Sequence, residues 1–280
     1  MIIIAFPVGA FGSTIEYSLR EFSNELTKVS GLVLPNGSMH SFKKEFHPRT
    51  IEELSNLNKS IEIATPVYPG DDWLTPVNTI VQFKKYLTQD HKVVLIYFKE
   101  MQSAERNMLF SYYKLSNFLR IFEGKEKNWN KEYNSFSDMQ LYEQREAISF
   151  LVDSQSDYTE VFKVSEKNWL KVEVNDILYN FKNTLLTIFD YCNLSINTNS
   201  NIDKFYQEWF EKQQYIINEF ETINNIMHSI TTDQYMQWGQ LSIVGEAIIQ
   251  SRLRKQGTEI SCYNLNIFPT DTANLKILYI

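Results

Sequence analysis

The chain opens with Met1-Ile-Ile-Ile-Ala-Phe6, runs through Pro7-Val-Gly-Ala-Phe-Gly-Ser13-Thr14, and continues with Ile15, Leu19, Phe22 and Leu26 at helical spacing. A short β-branched and aromatic run, a small-residue turn and an amphipathic helix, in that order, start an α/β unit. Such a junction is where α/β proteins hold phosphate. Glycine accepts positive φ and lets main-chain amides approach an anion, and the free amides of a helix start add partial positive charge. Gly9, Ala10, Phe11, Gly12, Ser13 and Thr14 are therefore candidate anion-binding residues, the last two with hydroxyls to offer. The same residues also fit a plain strand-to-helix turn with Ser13 or Thr14 as N-cap. A Walker A loop places lysine directly after its second glycine. Here Ser13 stands in that place, so the ordinary ATPase and GTPase readings lose their phosphate cation.

Further along, apolar runs and helical patterns alternate. Helix is expected over 13–29, a hairpin or an irregular excursion over 32–40 about Asn36-Gly37, a short helix over 51–57, and a strand from Ser60 to Ala64 ending at Thr65-Pro66. The loop that follows carries Asp71 and Asp72, at the carboxyl end of a strand, where parallel sheets bind ligands. Helix over 75–88, strand over 92–98 and helix over 103–122 come next, then a polar stretch over 123–137 that reads as a mobile surface segment. A helix is expected over 138–152 and a strand over 169–174, with Asn175 or Asp176 capping the helix that carries Ile177, Leu178, Phe181, Leu185 and Ile188. Helices over 201–228 and 233–256 follow, the second ended by Gly257. A last strand over 259–265 precedes Thr270, a candidate cap for a short terminal helix. Strands alternating with helices imply a central, mostly parallel sheet between helical layers, with a helix-rich C-terminal half.

Composition narrows the partners. A net charge of −7 without a long basic run argues against a duplex nucleic acid held through its phosphates. Two cysteines, Cys192 and Cys262, lack neighbours at metal-ligand spacing, so both read as small core residues in a reducing compartment and no metal is expected. No apolar stretch reaches the ~18 to 20 residues of a membrane span, and the amino terminus lacks a cationic start, so a cytoplasmic setting, including a host cytoplasm for a viral protein, is expected.

The order of these features resembles the sulfotransferase branch of the P-loop fold. Gly12-Ser13-Thr14 is similar to the close of that family's first loop, P-[KR]-[ST]-G-[ST]-T, with Ala10 and Phe11 in place of the basic residue and the hydroxyl. Val93 to Lys99 followed by Phe110-Ser111-Tyr112 resembles the strand ending in a cation and the serine-bearing helix that bind a 3'-phosphate, with Lys in place of Arg and a longer separation. Leu170 to Leu178 with Phe181 and Ile188-Phe189 is similar to the strand and helix beyond the phosphate sites, and Arg252-Leu-Arg254-Lys faintly resembles a late phosphate clamp. The likeness covers about residues 1 to 195. It implies a three-layer P-loop-like sandwich, one sulfotransferase-like domain over 1–280 with a helical extension from about 200. It also implies transfer of sulfuryl from 3'-phosphoadenosine 5'-phosphosulfate (PAPS) to a hydroxyl or amine acceptor, leaving 3'-phosphoadenosine 5'-phosphate (PAP).

On that resemblance the 5'-phosphosulfate lies on Gly9 to Thr14 and the 3'-phosphate on Lys99 and Ser111, with Arg252 and Arg254 as further cations. The acceptor needs a general base, and Asp71 and Asp72 stand where one is wanted; the four histidines do not. The missing loop cation is a deficit for sulfuryl transfer, because electrophilic groups that neutralise moving charge are commonly worth ~10²- to 10³-fold in rate. Lys99 or Arg106 are the cations that would have to approach instead. A non-catalytic binding or assembly module on the same fold, viral or otherwise and compatible with a homo-oligomer, is the alternative expectation.

Overall fold

The computed structural model describes residues 1–7, 9–28, 31–33, 39–41, 53, 56, 62–68, 76–112, 152, 156–231, 237–238, 241–257 and 275–276. The chain packs as two compact units, one formed by Met1–Asn107 and Ser156–Gln213, the other by Met108–Gln155 and Gln214–Ile280.

The first unit is built on strand β1 (Ile2–Pro7), every residue of which is buried. On one side β1 pairs in parallel with β4 (Ile63–Ala64) and β5 (Val67–Tyr68); on the other it pairs with β6 (Lys92–Tyr97), which in turn pairs with β7 (Leu170–Glu173). All these pairings are parallel, and the apolar runs of β1 and β6 suit strands covered on both faces. The strand expected to stop at Thr65-Pro66 instead resumes. Proline lacks an amide to donate, so the ladder is interrupted there, yet the Pro66 carbonyl accepts the Phe6 amide at 3.2 Å and Val67 and Tyr68 pair with Phe6 and Pro7.

From β1 the chain passes first to β4 and β5 on one side, then crosses to β6 on the other. Crossovers of one hand running in opposite directions put their helices on opposite faces. Ile80 and Phe83 of α2 (Pro76–Tyr86) pack with Ile3, Ala5, Val93 and Leu95. Alternation turns Ile2, Ile4 and Phe6 the other way. There the Phe6 ring meets α1 (Gly12–Phe22), and α7 (Phe181–Cys192) packs against α1, β6 and β7. Helices thus cover both faces of a parallel sheet, an α/β fold as the alternation implied. A small antiparallel pair, β2 (Gly31–Val33) with β3 (Met39–Ser41), sets Leu32 opposite His40, in keeping with a hairpin; the expected Asn36-Gly37 turn lies outside the described residues.

Several helix bounds differ from the sequence pattern for identifiable reasons. Helix α1 ends at Phe22 rather than residue 29, because the Ser23 hydroxyl takes the Glu25 and Leu26 amides and the extended Ser23 bridges Ile196. Arg20, buried in α1, is held by Glu16 at 3.1 Å and Glu62 at 3.2 Å, fastening the helix to the segment entering β4. Helix α3 (Met101–Tyr112) begins two residues early, and its predicted continuation and the segments over 123–137 and 138–151 lie outside the described residues. Short helices α4 (Ser156–Thr159) and α5 (Val161–Val164) lead to β7. The helix after β7 starts at Val174 as α6 (Val174–Tyr179), capped by Glu173 rather than by Asn175 or Asp176, and breaks at Asn180 (φ −134°) before α7. Helix α8 (Ile202–Glu211), capped by Asn201, completes this unit.

In the second unit, α9 (Gln214–Thr231) packs with α10 (Ile243–Lys255). The expected helix over 233–256 starts only at Ile243, because Ser242 caps it through the Gly245 amide at 3.1 Å. Glu219 of α9 accepts the Ser242 amide at 2.7 Å, and a Cβ on Gly245 would lie 2.7 Å from the same carboxylate oxygen. Gly257 has φ +70° and donates to the Arg254 carbonyl, the C-terminal role predicted for it. Strand β8 (Gln237–Trp238) pairs antiparallel with β9 (Leu275–Lys276), within segments expected to be helical; the predicted strand over 259–265 and Thr270 lie outside the described residues. Among the described residues no helix is long and apolar enough to cross a membrane.

Candidate functional site

The carboxyl edge of the parallel sheet is the place to look for a ligand, because β1 sits where successive connections part to opposite sides, the position at which open α/β sheets bind ligands. The turn after β1 is tight. Gly9 has φ 84°, the Ala10 amide donates to the Pro7 carbonyl at 3.0 Å, and Phe11 is left-handed at φ 62°, an uncommon conformation for an aromatic residue. Phe11 occupies the N-cap position without a side-chain cap, and its carbonyl accepts the first amide bond of α1, from Ile15, at 3.0 Å. Gly12, Ser13 and Thr14 therefore fill the first turn, and neither hydroxyl residue is the cap. Their amides precede the first intrahelical bond and carry the positive end of the helix dipole.

Side chains crowd this turn. Ala10 is fully buried and Thr14 is 2% exposed, whereas Ser13 and Phe11 are half-buried. The Phe11 ring meets Trp209 edge to face, with centroids 5.0 Å apart. Gly12 is required for space, not for positive φ: a Cβ there would lie 2.0 Å from Cδ1 of Phe6. Trp209 also packs on Phe181 and Tyr206, and its buried indole Nε1 has no hydrogen-bond partner among the described residues.

A different chemistry gathers where β6 and β7 end. Glu173, 8% exposed, accepts the Asn175 amide at 2.6 Å through Oε2 and the Lys99 amide at 3.5 Å through Oε1. Asn175 Nδ2 donates to the Ser103 hydroxyl at 2.8 Å, and Arg106 donates to Asn175 Oδ1 and, at 3.1 Å, to the Tyr179 hydroxyl. The guanidinium also lies 5.3 Å from the Tyr179 ring centre. Burial pushes the Glu173 carboxyl up, against the Asn175 and Lys99 amides and the Ser103 hydroxyl, which favour its charged form. Burial likewise pulls the Arg106 guanidinium down, opposed by Tyr179 and Glu173. Tyr97 is pushed up by burial and by the charges of Glu173 and Asp176.

Of the residues predicted from sequence, Gly9 to Thr14 and Lys99 share this edge of the first unit, and Lys99 is exposed two residues beyond β6. Arg106 is nearby in sequence but its guanidinium is taken up by Asn175 and Tyr179. Asp71 and Asp72 lie outside the described residues. Ser111 falls on α3 within the second unit, and its side chain is likewise outside them. Arg252, also in the second unit, donates to Asn224 Oδ1 at 2.8 Å and lies over the Phe220 ring, and Arg254 is exposed at the end of α10. Glu173, Ser103 and Tyr179 were not singled out from sequence as site residues, and Asn175 was singled out only as a helix cap; the one available signal was a glutamate at a strand-to-helix junction. Cys192 is a buried free thiol pushed up to about 12 by burial, so it stays protonated. No three His, Cys, Asp or Glu side chains among the described residues gather as a metal site.

The fold and this edge define an α/β protein with a parallel sheet covered by helices on both faces. Compared with known protein families, with characterised proteins and with solved structures, the chain matches none.

Proposed function

We propose that this chain is a sulfotransferase-like protein that holds the phosphosulfate of PAPS on the turn between β1 and α1. The observation that carries the reading is the position of three helix-start amides, Gly12 to Thr14, directly past the buried strand from which the chain diverges to both sides of the sheet. Lys99, exposed at the end of the adjacent strand, is the cation within the same unit that would neutralise a second anionic group. In the reaction the bond from sulfur to the phosphate oxygen breaks, a bond from sulfur to the acceptor oxygen or nitrogen forms, and PAP leaves. The acceptor proton passes to a base, for which Asp71 and Asp72 are the candidates. Positioning and amide stabilisation carry most of such a transfer.

A second reading, a non-catalytic binding or assembly module on the same fold, is favoured by the buried Ala10 in the place of a loop cation and by the Phe11 ring packed on Trp209 in the place of the loop hydroxyl. The test is thermal unfolding with PAP. A nucleotide at 100 times its dissociation constant raises stability by about 2.7 kcal/mol, and Ser13→Ala should reduce that gain. No shift at millimolar PAP ends the nucleotide reading. Turnover of PAPS on an added acceptor ends the second.

A further inference from the structure

Glu173 does more than a helix cap requires. Capping α6 needs an acceptor for the Asn175 amide, which a shorter Asp, Asn or Ser would supply. The longer glutamate reaches from the end of β7 to the connection between β6 and α3, where Oε1 accepts the Lys99 amide at 3.5 Å. Beyond that connection, Ser103 is tied to Asn175, and Arg106 to Asn175 and Tyr179, so the first turns of α3 are fastened to α6. The segment that carries Lys99 is held at its own amide and at the helix that follows it.

We infer that Glu173 is a positioning residue, which fixes the main chain at Lys99 so that its ammonium serves the second anionic group of a nucleotide whose phosphosulfate or 5'-phosphate lies at the β1–α1 turn. The inference rests on the nucleotide reading above. Charge alone would make a carboxylate here weaken anion binding. Positioning and charge therefore pull the affinity in opposite directions, and variants separate them. Glu173→Asp keeps the charge and a preferred N-cap but withdraws the carboxylate by one methylene; Glu173→Gln keeps the length and an acceptor oxygen but removes the charge.

PAP binding to the full chain is measured by calorimetry for the native protein, Lys99→Ala, Glu173→Asp and the double variant. Lys99→Ala should weaken PAP about tenfold and Glu173→Asp about fivefold, and the double should be within about twofold of Lys99→Ala alone. Glu173→Gln should bind at least as tightly as the native chain. Amide exchange at Lys99 should quicken in Glu173→Asp while Val93 to Ile96 stay protected. Native-like affinity in Glu173→Asp, additive losses in the double, or an unchanged Lys99 amide overturns the inference. If Glu173→Asp does not fold, weaker binding in Glu173→Gln overturns it. A native chain that binds no PAP removes the nucleotide reading and this inference together; binding that ignores Lys99→Ala removes only the inference.

Discussion

Two corners of one sheet edge solve the problem of a strand end in opposite ways. At the end of β1 the turn is closed by side-chain packing: Phe6 against Gly12, Phe11 against Trp209, and an indole N–H without an acceptor among the described residues. At the ends of β6 and β7 the closure is polar, with Glu173, Ser103, Asn175, Arg106 and Tyr179 linked through hydrogen bonds. Among the described residues the first corner has main-chain donors and no cation of its own. The second has a buried cation, but its own side chains already occupy it. Among the described residues, an anion entering this edge would meet amides from one corner and the charge of the exposed Lys99.

The largest expected effect tests whether the first corner is truly governed by packing. Gly12→Ala places a methyl group 2.0 Å from a Phe6 ring carbon, so the ring or α1 must move. Overpacking of this kind costs about 3 kcal/mol, a fall in melting temperature of roughly 6 to 12 °C for a chain of this size. Phe6→Ala in the same chain should recover part of the loss that Gly12→Ala causes. If Gly12→Ala alone melts with the native protein, the close contact does not constrain the turn.

Next in size is the second corner. Arg106→Leu leaves the Asn175 carbonyl oxygen and the Tyr179 hydroxyl without their donor, at a cost of about 2 kcal/mol read from urea unfolding. Because the leucine also removes a buried charge, a cost near zero would mean that desolvation of the guanidinium cancels its hydrogen bonds. The comparison would then rest on shape at both corners.

The two corners also differ in how much of them could be read from sequence. β1 and β6 were legible because each is a continuous apolar run of strand length, and so was the helix expected over 75–88 before β6, but the order of the strands in the sheet was not. The turn itself was legible as a turn, but the reason for Gly12 was not: it depends on the Phe6 ring folding back over the helix start. At the second corner almost nothing was legible. Arg106 finds its partners about 70 residues away, a pairing no local pattern encodes, and the cap falls on Glu173 although Asn175 and Asp176 are the residue types that local preference favours. Helix α1 was overrun because Leu26 keeps helical spacing while Ser23 captures the next amides for itself.

A smaller, pH-dependent effect sharpens the polar corner. The Glu173 carboxyl in the folded chain sits above its ordinary value because burial opposes its charge. A folded-state value raised in this way favours folding below the unfolded value of about 4.5, and that contribution is lost as pH rises through the folded value. Glu173→Gln carries no such charge. Its melting temperature relative to the native chain should therefore climb as pH goes from about 4 to neutrality, and a constant difference would show that the carboxylate keeps its water on folding.

The smallest effect is expected at the orphaned donor of the apolar corner. Trp209→Phe keeps an aromatic ring against Phe11 and Phe181 but removes the buried Nε1–H. Truncating the indole opens a void, while eliminating an unpaired donor returns about 1 to 3 kcal/mol of desolvation cost, so the net change in stability should stay within about 1 kcal/mol of zero. Urea midpoints at matched slopes measure it. A loss of ~2 kcal/mol or more would mean that the indole N–H is satisfied in solution, and the apolar corner would then be closed by a hydrogen bond after all.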